Sequence, residues 1–150
     1  YLEGVDSIAD GYVVGTADVN NDGAIDIVLR NADPGTKLIS YAPIQIFLNN
    51  KVDPNRVAIT LEGKTSNRDA IGAELVGTVK GQPVQVRQLI ANNGTIQSEH
   101  KLWFSLGKEK SMKELKIRWP SGKVQILKNV KPGEHHIVED SGPTLITHAN

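Results

Sequence analysis

The amino-acid sequence predicts an all-β fold, an antiparallel sandwich or barrel, on three observations. Apolar residues recur at period two in many short runs, turn-forming residues separate those runs, and helical periodicity is nearly absent. Period-two alternation sets one side of a strand on a core and leaves the other in water, because successive side chains point to opposite faces. The clearest runs are Val57, Ile59 and Leu61; Ala73, Leu75, Gly77 and Val79; Val84 and Val86; Leu102, Phe104 and Leu106; Leu115, Ile117 and Trp119; and Val124 with Ile126. Regular strands with turns between them argue for a sandwich or barrel over a parallel α/β sheet.

The connections have the chemistry of turns: Lys80-Gly-Gln-Pro83, Asn92-Asn-Gly94, Pro120-Ser-Gly122 and Lys131-Pro-Gly133. Trp119-Pro-Ser-Gly-Lys123 reads as a hairpin connection, since Gly122 accepts a positive φ and proline does not continue a central strand. The short polar stretch from Gly107 to Met112 is expected to be a loop. Upstream, Ala24 to Leu29 and Ile44 to Leu48 read as strands flanking a loop from Arg30 to Ser40. Asn49-Asn-Lys-Val-Asp-Pro54 interrupts two strand runs and marks a boundary. The expected organisation is a fragment over residues 1–50, a self-contained β domain over 51–140, and a C-terminal tail over 141–150. The chain opens inside a strand-like pattern, Tyr1-Leu-Glu-Gly-Val5, with no initiator methionine, and is expected to belong to a longer parent chain.

At 150 residues the chain can bury a real core. Lys plus Arg and Asp plus Glu balance at 17 each, so no global field draws in a polyanion, and a nucleic-acid partner is not expected. The absence of cysteine removes disulfides, thiolate zinc sites and cysteine nucleophiles together. No apolar run is long enough to span a bilayer, so membrane insertion is not expected.

One loop carries chemistry. In Asp18-Val-Asn-Asn-Asp-Gly-Ala-Ile-Asp26, Asp18, Asn20, Asp22 and Asp26 place oxygen side chains at alternate or near-alternate positions, with the Ala24 carbonyl between them. Gly23 permits the sharp turn that folds alternate residues inward. Such a set suits a hard cation taking oxygen ligands at roughly 2.3 to 2.6 Å, and calcium fits better than magnesium because many protein ligands can converge without octahedral geometry. Leu29 stands where an EF-hand requires a glutamate, and a strand pattern follows where a helix would. The competing reading is an Asx-rich turn whose side chains cap their own backbone amides. The ion, if bound, is structural: it relieves like charges at short range and pins the following strand.

Gly15-Thr-Ala-Asp-Val-Asn-Asn-Asp-Gly-Ala-Ile-Asp-Ile-Val-Leu29 resembles the FG-GAP or VCBS repeat, whose blades build β-propellers with calcium in the blade loop. Residues from about 56 to 139 resemble the ASPIC/UnbV domain, through Ser66-Asn-Arg-Asp-Ala-Ile-Gly-Ala73, Gln97-Ser98, Leu102-Trp-Phe-Ser-Leu-Gly107, Ile117-Arg-Trp-Pro-Ser-Gly-Lys123 and Asn129-Val130. The sequence departs from that family at Gly94-Thr-Ile-Gln97, where a tyrosine-containing run is usual. The resemblances imply a β-sandwich or barrel-like domain preceded by a propeller-blade-like segment. They also imply an extracellular, periplasmic or cell-surface setting and a binding, adhesion or scaffold role toward a protein or glycan partner.

Other candidates divide between ligand contact and packing. Arg68 and Asp69 in a glycine-flanked loop would contact a carboxylate or sugar, or else form an internal arginine–carboxylate clamp. Trp119 shares the phase of Leu115 and Ile117 and reads as core, whereas Trp103 is opposite in phase to Leu102 and Phe104 and is the candidate aromatic platform. His135 and His136 fall on opposite strand faces, and His148 lies in the tail. His100 beside Glu99 stands without a nucleophile motif, so no catalytic residue is assigned. Asn93-Gly-Thr95 is a formal glycosylation acceptor at a turn. The function expected is a non-catalytic, calcium-stabilised module. The alternatives are an accessory or enzymatic domain of glycan processing or natural-product synthesis, with Arg68, Asp69, Glu99 and His100 as its pocket, and a lectin-like domain resting on Trp103.

Overall fold

A computed structural model describes residues 10–32, 44–51, 53–92, 96–141 and 143–146. The Tyr1–Val5 pattern, most of the loop from Arg30 to Ser40, the Asn93 acceptor and His148 lie outside the described residues. The chain forms two compact units: Tyr1–Val52 with Asn92–Glu99, and Asp53–Ala91 with His100–Asn150. Among the described residues every regular element is a strand.

The first unit holds a three-stranded antiparallel sheet in the order β1-β2-β3, made of β1 (Asp10–Ala17), β2 (Asp26–Ala32) and β3 (Ile44–Phe47). The acidic loop joins β1 to β2, whose register closes on the pair Ala17 and Asp26. Asn31 is fully buried on β2, and its amide donates to Gln45 Oε1 across the sheet at 2.7 Å. A buried amide needs such a partner, because desolvation without one destabilises by about 1–3 kcal/mol.

The second unit is a sandwich of two four-stranded sheets. One has the order β11-β10-β4-β7, from β4 (Arg56–Glu62), β7 (Leu102–Ser105), β10 (Gly133–Val138) and β11 (Pro143–Ile146). Its β4 and β10 run parallel and its other pairs antiparallel. The other sheet has the order β6-β5-β8-β9, all antiparallel, from β5 (Glu74–Thr78), β6 (Gln85–Gln88), β8 (Met112–Arg118) and β9 (Val124–Val130). β11 falls in the segment expected as a tail. Val57, Ile59, Leu61, Phe104 and Ile137 of the first sheet meet Leu75, Met112, Leu115, Ile117 and Val130 of the second in one core. Each such side chain, fully buried, contributes about 1.5–3 kcal/mol. The alternation read from sequence on β4, β5, β7 and β8 is therefore the core phase.

The two outer strands of the second sheet have the opposite phase. Val84, Val86, Val124 and Ile126, expected inward, are all more than half exposed. Inward positions on these strands include polar side chains that satisfy open backbone edges, beside Leu127 and Val130 of β9, which face the core. Gln85 accepts from Ser105 N at 3.1 Å and donates to Ser105 O at 2.7 Å, and Arg87 Nε donates to Trp103 O at 3.1 Å. In this way β6 covers the free edge of β7 with side chains in place of a ladder, and an exposed edge is no longer a template for another chain. Gln125 does similar work on β9, accepting from Trp119 Nε1 at 2.9 Å and from Asp140 N at 3.2 Å and donating to Ser141 O. The hairpin at Trp119 to Lys123 forms as expected: Trp119 N donates to Lys123 O at 2.9 Å, and Gly122 takes φ 87°.

Gly77 shows how closely the sheets pack. A Cβ there would lie 2.8 Å from Phe104 Cδ1 and 3.1 Å from Met112 Cε. Gly77→Ala is expected to destabilise the domain by about 1–3 kcal/mol through overpacking. Urea unfolding reads this as a lower midpoint at unchanged slope, and an unchanged midpoint would show that the sheets have room to part.

Candidate functional site

The acidic loop turns twice through left-handed backbone, at Asn21 (φ 56°) and Gly23 (φ 87°), and this folds its side chains back over its own amides. Asp18 Oδ2 accepts from Gly23 N at 2.8 Å, Asn20 Oδ1 from Asp22 N at 3.1 Å, and Asp22 Oδ1 from Ala24 N at 2.7 Å. Asn20 Nδ2 donates to Asp22 Oδ2 at 2.8 Å. Asp26, fully buried, accepts from Val19 N at 2.9 Å and from Asn49 N at 2.8 Å, so it ties the loop to the end of β3. These are the bonds of an Asx-rich turn. One oxygen falls outside that pattern: Asp18 Oδ1 is buried and has no hydrogen-bond partner. A buried carboxylate oxygen without a donor is unfavourable unless a cation serves it. Among the described residues no three Asp, Glu, His or Cys side chains converge closely enough to hold a metal by themselves. An ion here would also draw on the Asn20 amide oxygen and on main-chain carbonyls such as that of Ala24.

Glu99 reaches this loop from across the sequence. Its Oε2 accepts from Asp18 N at 3.4 Å, and its own N–H donates to Thr16 O at 3.1 Å. Ser98 Oγ accepts from Thr16 N at 3.3 Å. Glu99 thus belongs to the first unit, whereas Arg68, Asp69 and His100 belong to the second, and no one unit gathers the four residues expected to line a pocket.

In the second unit the controlling group is Glu139, a residue to which the sequence assigned no role. It is fully buried at the end of β10. Its Oε2 accepts from the backbone N–H of Lys64 at 2.9 Å, Thr65 at 2.8 Å and Ser66 at 2.8 Å. Its Oε1 accepts from Ser66 Oγ at 3.2 Å and Ser121 Oγ at 2.6 Å. Three successive amides cradling one carboxylate make a backbone anion site. Burial alone would raise the carboxyl's pKa; the Ser121 hydroxyl and the amides of Ser66, Lys64 and Thr65 outweigh it and lower the value to about 2.

That carboxylate anchors the loop from Gly63 to Ala73. Asn67 closes the rest, with Oδ1 accepting from Ile71 N at 2.8 Å and Nδ2 donating to Ile71 O at 2.9 Å. Ala70, fully buried, sits at φ 52°, a conformation that costs an alanine about 1–2 kcal/mol and persists only where the surroundings enforce it. The arginine–carboxylate clamp weighed for Arg68 and Asp69 is absent, because Glu139 and backbone amides perform that task. Both side chains are exposed and engage no other described residue.

Trp103 projects from the outer face of its sheet beside Ala58, opposite in phase to buried Phe104, as expected. Its ring is already engaged: the Arg56 guanidinium lies 4.6 Å from the ring centroid and Lys101 Nζ 5.4 Å. Trp119 is core. His135 and His136 do take opposite faces; His135 is buried with Nε2 2.8 Å from Lys131 O, and His136 pairs with Glu62 at 3.1 Å.

Glu139 makes stability depend on acid. Its folded pKa of about 2 lies below the ordinary 4.5, so protons bind the unfolded chain more readily. Its contribution is complete above about pH 4.5 and is lost as pH falls toward 2. Melting temperature should therefore fall steeply across that window. Glu139→Gln should melt well below the parent at pH 7 and show a much flatter acid limb; parallel acid limbs would contradict the anchor.

Among known proteins, the family described as ASPIC and UnbV matches residues 63–144, and no curated protein matches the chain. That span opens at the anchored loop and contains the strands, turns and buried carboxylate that hold it. It covers more than half of the sequence, and the chain belongs to the ASPIC and UnbV family.

Proposed function

We propose that the chain is a non-catalytic extracytoplasmic binding or scaffold module whose first unit is an FG-GAP/VCBS-type repeat pinned by a structural calcium ion. The observation that carries the calcium reading is the buried, unpartnered Asp18 Oδ1 in a loop whose other carboxylate oxygens all accept hydrogen bonds. Asp18, Asn20, Asp22, the Ala24 carbonyl and Asp26 would hold the ion, which supplies charge compensation and no chemistry. A hard, flexible-coordination cation suits such a mixed set of carboxylate, amide and carbonyl oxygens.

The contact surface in this reading is the loop of the second unit that Glu139 fixes. Arg68 and Asp69 stand out from a backbone locked by hydrogen bonds on both sides, so a partner would meet them without ordering the loop first. A protein or glycan surface offering a carboxylate to Arg68 and a donor to Asp69 fits these two side chains. The even charge balance argues against a nucleic-acid partner. Among the described residues no helix is long and apolar enough to cross a membrane.

Calcium titrated into chelator-treated protein should release heat and raise the melting temperature, by the equivalent of about 2.7 kcal/mol at a hundredfold excess over Kd. Asp18→Asn should weaken both responses strongly. Absence of heat and of any melting shift at millimolar calcium would defeat the calcium reading.

A further inference from the structure

We infer that β9 is a pairing edge for a second copy of this chain, joined strand to strand about Ile126 so that two β6-β5-β8-β9 sheets become one. β9 ends that sheet, and its ladder with β8 runs without a shift from the pair Glu114 and Lys128 to the pair Arg118 and Val124. In an antiparallel ladder, alternate residues turn their N–H and C=O toward the neighbouring strand. Trp119 N donates to Lys123 O, which sets the phase: Gln125 and Leu127 bond to β8, and the main-chain groups of Val124, Ile126 and Lys128 point away from it. Among the described residues none of those outward groups has a hydrogen-bond partner. An unpaired row of this kind is a template for another strand, and proteins blunt it with bulges, proline or covering groups. The opposite edge of the sandwich has such cover, where Gln85 and Arg87 close β7. From Val124 to Lys128 there is neither bulge nor proline, and Val124 and Ile126 are each 51% exposed.

The open groups also fix the partner and the register. Antiparallel pairing about Ile126 sets Ile126 against its own copy and Val124 against Lys128, so every outward donor on one copy meets an outward acceptor on the other. The exposed Ile126 side chains cover each other, and Val124 packs along the stem of a lysine whose ammonium stays in water. Only that register pairs all three outward residues among themselves, and it opposes no like charges. A pairing centred on Lys128, or a parallel one in register, sets lysine against lysine. Centred nearer the start of the strand, the pairing passes Val124 into the turn at Gly122. β9 is thus complementary to itself in one arrangement, as a closed two-fold contact requires. The dimer carries two copies of the loop that Glu139 anchors, so a repetitive partner is gripped twice. The pairing is independent of the calcium reading.

Sedimentation velocity of the whole chain across the micromolar range should show a reversible monomer–dimer equilibrium, with amide exchange at Val124, Ile126 and Lys128 slowing as concentration rises. Ile126→Lys opposes two charges across the axis and should weaken association about tenfold. The side chain is half exposed, so the change leaves the core intact. Cross-linking reads the register directly, because the chain has no cysteine of its own. Paired Ile126 Cα atoms would lie about 5.5 Å apart, within the span of a disulfide, whereas the two Val124 positions would lie about 13 Å apart along the strands. In a glutathione redox buffer Ile126→Cys should therefore collect as a covalent dimer and Val124→Cys should not. A parent that stays monomeric throughout, a dimer that leaves exchange at those amides unchanged or survives Ile126→Lys, or equal cross-linking of the two cysteine variants would each overturn β9 as the joint.

Discussion

Glu139 accepts three backbone amides and two serine hydroxyls while wholly shielded from water, and the second unit is organised around that arrangement. The carboxylate ends β10, the amides belong to the crossover that leaves β4, and the Ser121 hydroxyl belongs to the turn between β8 and β9. β4 and β10 lie in one sheet, β8 and β9 in the other. A single charged group thus joins the two layers at one end of the sandwich, where hydrophobic contact between the sheets gives way to loops. The main-chain bond from Glu139 N to Glu62 O at 2.8 Å extends the parallel β4–β10 pairing up to the anchor. Charge-assisted bonds to fixed amides are directional in a way that apolar packing is not, so they set the loop's conformation and not only its burial.

The strands with a core on one side were legible because burial imposes period two on apolar residues: Ile59, Leu75, Phe104 and Ile117 all face inward as their alternation demands. The outer strands were legible as strands but not in phase. At Val84, Val86, Val124 and Ile126 the same alternation faces solvent, since Gln85, Arg87 and Gln125 are needed inward to satisfy backbone that has no neighbouring strand. Periodicity reports that two faces differ. It does not report which face is inside when an edge must be closed by polar side chains.

The candidate sites divide in the same way. The acidic loop was readable because its ligand spacing is local, all within nine residues of sequence. Glu99 beside it was not, for no pattern within a segment reports a contact made across the chain. Glu139 left a faint trace, an acid in phase with inward-facing Ile137, where alternation calls for an apolar residue. Arg68 and Asp69 drew attention by their chemistry, yet the residues that hold the loop are its amides, which every sequence possesses.

The two carboxylate clusters also explain each other. Around Glu139, one negative charge meets five donors and neither oxygen is left over, so the group stays ionised without a metal. Around Asp18, carboxylates outnumber what the turn can serve: the amides of Val19, Gly23, Ala24 and Asn49 are each spent on one oxygen, and Asp18 Oδ1 receives none. A divalent ion would meet that surplus, because it takes several oxygens at one point. The ratio of donors to carboxylate oxygens therefore separates an anchor complete in itself from a turn that leaves one buried carboxylate oxygen unserved.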